Sequence, residues 1–170
     1  ASDIIVTARR REESLQDVPQ TVNAVSGEAL AKLNLQRFED LQSVVAGLDL
    51  SSGARSFDTA ASIRGVSYAV RSQTSPTVEF YLNDAPMPPG MLFQSTFDIG
   101  QIEVLRGPQG TLRGRAAPSG AITITTRRPN VSDVGGYIDM TGTTRGNING
   151  QAAINIPLIA DVLAVRVAGL

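Results

Sequence analysis

Ile102-Glu103-Val104-Leu105-Arg106-Gly107-Pro108-Gln109-Gly110-Thr111-Leu112, continued by Gly114-Arg115-Ala116-Ala117-Pro118-Ser119-Gly120-Ala121-Ile122, is the stretch whose reading decides the fold. Ile102 and Val104 alternate with Glu103, and Ile122 and Ile124 alternate with Thr123 and Thr125, so each end predicts a half-buried strand. Neither strand continues through the middle, because Gly107, Pro108, Gly110 and Gly114 suit no helix and no regular ladder. Strand, glycine-rich crossing and strand describe a small sheet with a long connection.

Working outward, Val78, Phe80 and Leu82 alternate with Glu79, Tyr81 and Asn83 as a further half-buried strand. Asn83-Asp84 then makes a tight turn into Ala85-Pro86-Met87, without the glycine that would ease it. On the N-terminal side Thr21 to Val25 reads as a strand, and Ser26 caps a helix over Gly27 to Leu33, with Glu28 in its first turn. Phe38, Leu41, Val44, Val45 and Leu48 recur at helical spacing, which predicts a second helix over Leu35 to Ala46 with Gly47 at its end. The opening run Asp3 to Ala8 is β-branched and extended, and a charged run from Arg9 to Glu13 follows at once. Such a segment is a strand seeking a sheet edge, or simply the first strand of the domain.

Beyond Arg127-Arg128-Pro129-Asn130 the composition shifts, and a boundary falls near Val134. Ile138 and Met140 alternate with Asp139 and Thr141, Ile154 and Ile156 with Asn155, and Val165 and Val167 with Arg166. One apolar face and one polar face, strand after strand, is the pattern of transmembrane barrel strands and equally of an amphipathic soluble hairpin. The chain ends on Val165-Arg166-Val167-Ala168-Gly169-Leu170 within that alternation, so the C-terminus reads as a cut through a strand.

Composition narrows the function. Hydrophobic residues make up 42% and charged residues 18%, as in a folded protein, and the net charge of −1 gives no bulk attraction to nucleic acid or anionic lipid. There is no Cys and no His among the 170 residues, which removes thiol nucleophiles, imidazole bases and the usual zinc ligands. Neither a Walker loop nor a dinucleotide fingerprint is present, so no enzyme, cofactor or metal is expected. No apolar run reaches the length of a membrane-spanning helix, and no signal peptide opens the chain. Gly107-Pro108-Gln109-Gly110 fits the GXXG of a KH nucleic-acid module, with Arg106, Arg113 and Arg115 as phosphate contacts. A KH loop joins two helices, however, and here a strand precedes it.

The quoted stretch is similar to the most recognisable part of TonB-dependent outer-membrane receptor plugs. So are Ile63-Arg64-Gly65, the strand Val78 to Met87 and the opening Ile4-Ile5-Val6-Thr7-Ala8, which looks like a TonB box; the similarity runs nearly the whole chain in order. Four positions depart from the family's habit: Arg113 for an aromatic, Ala116 for Asn, Ser119 for a second Gly and Ala85 for a Gly.

The resemblance implies an α+β globular plug, with a small mixed β-sheet and short helices, followed by the first antiparallel strands of a truncated transmembrane β-barrel. Residues 1–19 would be the TonB box and flexible N-terminal segment, 20–133 the plug and 134–170 the barrel strands. Asp3, Ile4, Ile5, Val6, Thr7 and Ala8 would bind TonB by strand addition. Arg64, Arg106 and Glu103 would make the plug–barrel contact, the two arginines resembling those that meet barrel carboxylates in the family, with Glu79, Glu103 or Asp98 as alternative partners of the arginines inside the plug. Ligand would meet the apical loops through Arg55, Phe57, Tyr68, Arg71, Met91 and Phe93, a mixture of charge and aromatic surface that suits an anionic ferric siderophore and nearly as well a glycan. The implied function is gated, energy-coupled uptake in the outer membrane, with the plug inside its own barrel and the N-terminus facing the periplasm. The partners would be TonB, the barrel and a small-molecule ligand. Two other readings stay open: a free-standing soluble plug-like module, and a KH-like binder.

Overall fold

The computed structural model describes residues 5–7, 11, 13–18, 21–33, 35, 38–51, 60–66, 76–88, 91, 97–109, 114–142, 146 and 148–170. The chain divides into two compact units, one of residues 1–96 with 101–125 and the other of residues 97–100 with 126–170.

In chain order the first unit carries β1 (Ile5–Val6), β2 (Glu13–Ser14), β3 (Val22–Ser26), α1 (Gly27–Lys32), a 3-10 helix (Phe38–Ser43), β4 (Leu48–Ser51), β5 (Ala60–Ile63), β6 (Val78–Leu82), β7 (Ala85–Pro86), and most of β8 (Ile99–Arg106) and β9 (Gly120–Thr126). Its centre is a five-stranded sheet in the order β3-β8-β9-β6-β7. The sheet is mixed, because β3 and β8 pair antiparallel while β6 and β9 pair parallel. The expected α+β class is therefore what forms. β1 and β2 make a separate antiparallel ribbon, and β4 and β5 a second one.

Local chemistry explains the elements. Ser26 caps α1 by accepting the Ala29 N–H at 3.2 Å, with Glu28 in the first turn and Lys32 in the last, each complementing the helix dipole. The α-helix expected over 35–46 is a correction: among the described residues, only Phe38–Ser43 is helical there, and it is a 3-10 helix. Polar side chains take its carbonyls, since Ser43 Oγ donates to Asp40 O at 2.7 Å and Gln42 Nε2 to Glu39 O at 3.0 Å, which favours the tighter i to i+3 winding. Leu41 and Val45 still reach the core at 1% exposure. The expected turn does form, with Asn83 at φ 47° and Asp84 at φ 67°, the left-handed pair a two-residue hairpin needs. Asn and Asp tolerate that region, so the hairpin closes with Ala85 paired to Leu82 and no glycine.

β6, β8 and β9 are not half-buried as their alternation predicted. Val78, Phe80, Ile102, Val104, Ile122 and Ile124 on one face are all at 2% exposure or less, yet Glu79, Tyr81, Glu103, Ala121 and Thr123 on the other are buried too. The second face is covered by the N-terminal segment, where Val6 and Val18 cluster with Tyr81, Leu105 and Ala121. Central and parallel strands take burial on both faces, which the period-2 pattern alone does not reveal.

The second unit holds β10 (Gly135–Gly142), β11 (Ile148–Ile159) and β12 (Leu163–Gly169), an antiparallel meander and not a closed barrel. Register places Ile138 opposite Ala152, Ile154 opposite Val167 and Ile156 opposite Val165, so the apolar residues share one face. That face is bare: Ile138 is 80% exposed, Met140 70% and Val167 61%. Tyr137, Asp139, Gln151, Asn155 and Arg166 stand on the other face by alternation. No helix among the described residues is long and apolar enough to cross a membrane.

Candidate functional site

Of the expected coupling segment, Asp3, Ile4 and Ala8 lie outside the described residues. Ile5 is 46% exposed, whereas Val6 is fully buried among Val18, Tyr81, Leu105 and Ala121. Side-chain hydrogen bonds hold the described part of the segment: Thr7 N–H and Thr7 Oγ1 donate to Glu103 Oε1 at 2.7 and 3.0 Å, and Gln101 Nε2 donates to Ile5 O at 2.9 Å. The strand-like segment has thus found an edge, that of β2, through Ile5–Ser14 and Val6–Glu13 pairs.

Arg64 and Arg106 converge on one turn. Arg64 sits at φ 56°, a conformation seldom taken by a long side chain, and its N–H donates to Gly47 O at 2.8 Å. Arg106 Nη2 donates to Ala46 O at 2.6 Å, the neighbouring carbonyl, and its buried Nε has no hydrogen-bond partner. Neither guanidinium has a carboxylate within ion-pair distance among the described residues; the internal carboxylates weighed as partners are engaged elsewhere, Glu79 with Arg115 at 3.2 Å and Asp98 with Arg166 at 2.6 Å. Glu103 receives the N-terminal segment. The Arg64 side chain is exposed, so Arg64→Ala should change the stability of this chain by about 0.5 kcal/mol or less. Arg106→Ala, which releases Ala46 O, should cost about 1.5 kcal/mol, and a urea titration of both variants checks the order.

Of the expected ligand contacts, Arg55, Phe57, Tyr68, Arg71 and Phe93 lie outside the described residues. Met91 is described, 58% exposed, with its N–H donating to Pro88 O at 3.1 Å. Among the four departures, Arg113 lies outside, Ala116 and Ala85 are exposed, and Ser119 is 8% exposed with a hydroxyl that finds no partner. No cluster of three or more metal-ligating side chains occurs among the described residues.

A charged knot in the second unit has no local signature in the sequence. Asp98, 7% exposed and at φ 52°, accepts both Arg166 Nε at 2.7 Å and Arg166 Nη2 at 2.6 Å. Arg127 Nε lies 4.0 Å from the same carboxylate and donates to Ile99 O at 3.3 Å. Both guanidinium groups stand over the Tyr137 ring, 5.4 Å away for Arg127 and 6.0 Å for Arg166. Nearby in sequence, Asn155 bonds Asn130 N–H, Asn130 O and Asp133 O, fixing the start of β10 to β11.

The family described as TonB-dependent Receptor Plug Domain matches residues 14–121. The pesticin receptor of Yersinia pestis is 31% identical over 160 residues, covering 92% of this chain and 23% of the receptor. The catecholate siderophore receptor Fiu of Escherichia coli K12 is 34% identical over 80 residues, 45% of this chain and 10% of that receptor. Among solved structures, the ferric yersiniabactin uptake receptor FyuA from Yersinia pestis superposes with a TM-score of 0.78 at 29% identity, covering 88% of this chain and 23% of FyuA. The chain therefore spans about a quarter of the length of the pesticin receptor and of FyuA. A mixed sheet with this topology, a matching family over residues 14–121 and this degree of identity make one conclusion: the chain belongs to the TonB-dependent receptor plug domain family.

Proposed function

We propose that this chain is the plug of an outer-membrane receptor that takes up a ferric siderophore, gated by the plug and driven through TonB, with no catalytic activity of its own. Residues 1–19 are the coupling segment, 20–133 the plug and 134–170 the first strands of the barrel. The observation that carries the reading beyond the family is the two-sided sheet of the second unit. Its apolar face is bare while Arg166, Asp139 and Gln151 occupy the other, the arrangement of strands between lipid and a polar interior. Burying that band in water-facing protein would need a second layer, whereas lipid covers it directly. The relatives named for a siderophore and for ferric yersiniabactin favour an iron chelate as ligand. Met91 with the loops carrying Arg55, Phe57, Tyr68, Arg71 and Phe93 would meet it, and Arg64 and Arg106 would face barrel carboxylates.

TonB would take Asp3 to Ala8 as an added strand, main chain to main chain. Deleting those residues from the complete receptor should reduce uptake of the ferric siderophore to that of cells without the receptor while surface binding of the chelate persists. Uptake and binding of iron-55 chelate by the same cells separate the two. Undiminished uptake in the deletion would remove the segment from the mechanism.

A further inference from the structure

β8 leaves the second compact unit after Gly100, and β9 enters it after Thr125. Phe97–Gly100 therefore belongs with a three-stranded sheet that begins only at Gly135. Short as it is, the segment is bonded on two sides. On one side Arg127 N–H donates to Asp98 O at 2.9 Å and Arg127 Nε donates to Ile99 O at 3.3 Å. The backbones come so close there that a Cβ at Gly100 would lie 3.1 Å from Thr126 O and 3.2 Å from Arg127 N. On the other side Asp98 accepts the forked pair of hydrogen bonds from Arg166 of β12. An ionised bidentate pair holds about twice as strongly as neutral hydrogen bonds do, and a residue at φ 52° stays there because its surroundings hold it.

The connector between β9 and β10 is tied down as firmly. Asn155 of β11, 3% exposed, accepts the Asn130 N–H and donates to Asn130 O and Asp133 O, so its amide oxygen and both amide hydrogens serve one loop. Asn130 Oδ1 in turn accepts the Ser132 N–H at 2.8 Å. The turn between β11 and β12 adds Asp161 N–H to Val131 O at 3.2 Å and Ser132 Oγ to Asp161 Oδ1 at 3.4 Å. A linker built to swing is solvated and carries few such bonds. This one is stapled along its length.

We infer that the part of this chain that stays fixed during uptake begins inside the central sheet: residues 97–100 and 126–134 remain bonded to β10, β11 and β12, and any rearrangement is confined to residues 1–96 and 101–125. Asp98 and Arg166 are the positioning residues, because their pair joins the early segment to a strand 68 residues further on. The fixed part thus starts well before the composition shift near Val134. The inference rests on the proposed uptake for the existence of motion, and on the bonds within the second unit for what does not move.

Two measurements on the complete receptor test it. In peptide-resolved hydrogen exchange in detergent, Arg166→Leu should exchange over residues 97–100 and 126–128 at least about tenfold faster than the parent, with residues 78–88 within about twofold. Asp98→Asn breaks the pair from the other side and takes its place where Arg166→Leu fails to assemble. Acceleration that spreads equally to residues 78–88 assigns 97–100 to the first unit and overturns the inference. No acceleration at 97–100 means that the pair does not hold the segment, and overturns it as well. For function, residues 1–170 contain no cysteine, so Ser132→Cys with Asp161→Cys, in a receptor freed of any cysteine beyond this chain, ties the connector to the β11–β12 turn on oxidation. The probe is iron-55 in a ferric chelate that the parent imports, ferric yersiniabactin being tried first because FyuA takes it up. Uptake should agree within about twofold between the oxidised pair and the same pair kept reduced. Loss on oxidation that a reductant restores means that the connector moves, and overturns the inference. The deletion of Asp3 to Ala8 bears on coupling alone, so a failure of that reading is distinguishable from a failure of this one.

Discussion

Gly120→Ala should destabilise the plug by more than about 3 kcal/mol, because no rotation of the new methyl relieves the contact. A Cβ at position 120 would lie 2.2 Å from Leu105 O and 2.9 Å from Ile63 Cδ1, with the glycine at φ 150°. The isoleucine tip can turn aside, but the carbonyl belongs to β8, the neighbour of β9 in the sheet. Accommodating the methyl therefore means parting two central strands at the point where β9 also pairs Val78. Gly107→Ala is the control. It sits at φ 90° with nothing within 4 Å of its Cβ, so only backbone strain of about 1–2 kcal/mol applies. Urea unfolding of the chain in detergent micelles measures both, and equal losses would show that conformation, not the approach of β8, makes position 120 need glycine.

Gly120 also shows what the sequence allowed a reader to see. The strand starts around it were visible because alternation is local, and the Asn83-Asp84 turn was visible because two residues alone determine it. The helix over 35–46 was misread for the opposite reason. Apolar spacing there matches α-winding, but Ser43 and Gln42 divert the carbonyls of Asp40 and Glu39, a competition that periodicity does not register. Burial of both faces of β6, β8 and β9 depends on where Val6, Leu15 and Val18 return, and no pattern within the strands records that return. Long-range contacts follow the same rule. Arg64 and Arg106 are candidates by motif similarity alone, whereas the pairing of Thr7 with Glu103 spans 96 residues and that of Asp98 with Arg166 spans 68, and no local pattern records either. Tyr137 and Arg127 read as ordinary members of a strand and a linker until the fold brings them to one carboxylate.

Breaking the Asp98–Arg166 pair should be the other large loss, about 3–5 kcal/mol for Arg166→Leu, since it leaves a buried carboxylate without its fork of donors. The geometry is strong: two hydrogen bonds of 2.7 and 2.6 Å, with side-chain exposures of 12% for Arg166 and 6% for Asp98. Arg127 does not compensate, because it stands 4.0 Å off at 40% exposure and spends its Nε on Ile99 O. Asp98→Asn is the matching change on the other side, chosen because Asn tolerates the φ of 52° that Asp98 holds. It strands the Arg166 guanidinium over Tyr137 and should cost nearly as much. The decisive variant is the double one. With the carboxylate neutralised and the guanidinium replaced by leucine, no uncompensated charge is left, so most of the loss should return and the two single effects should fail to add by about 2 kcal/mol or more. Unfolding of the complete receptor in detergent, followed for the parent, both singles and the double, measures that difference. Simple additivity would mean that Asp98 and Arg166 act separately, Asp98 through the backbone turn at the start of β8 and Arg166 through its packing against Tyr137.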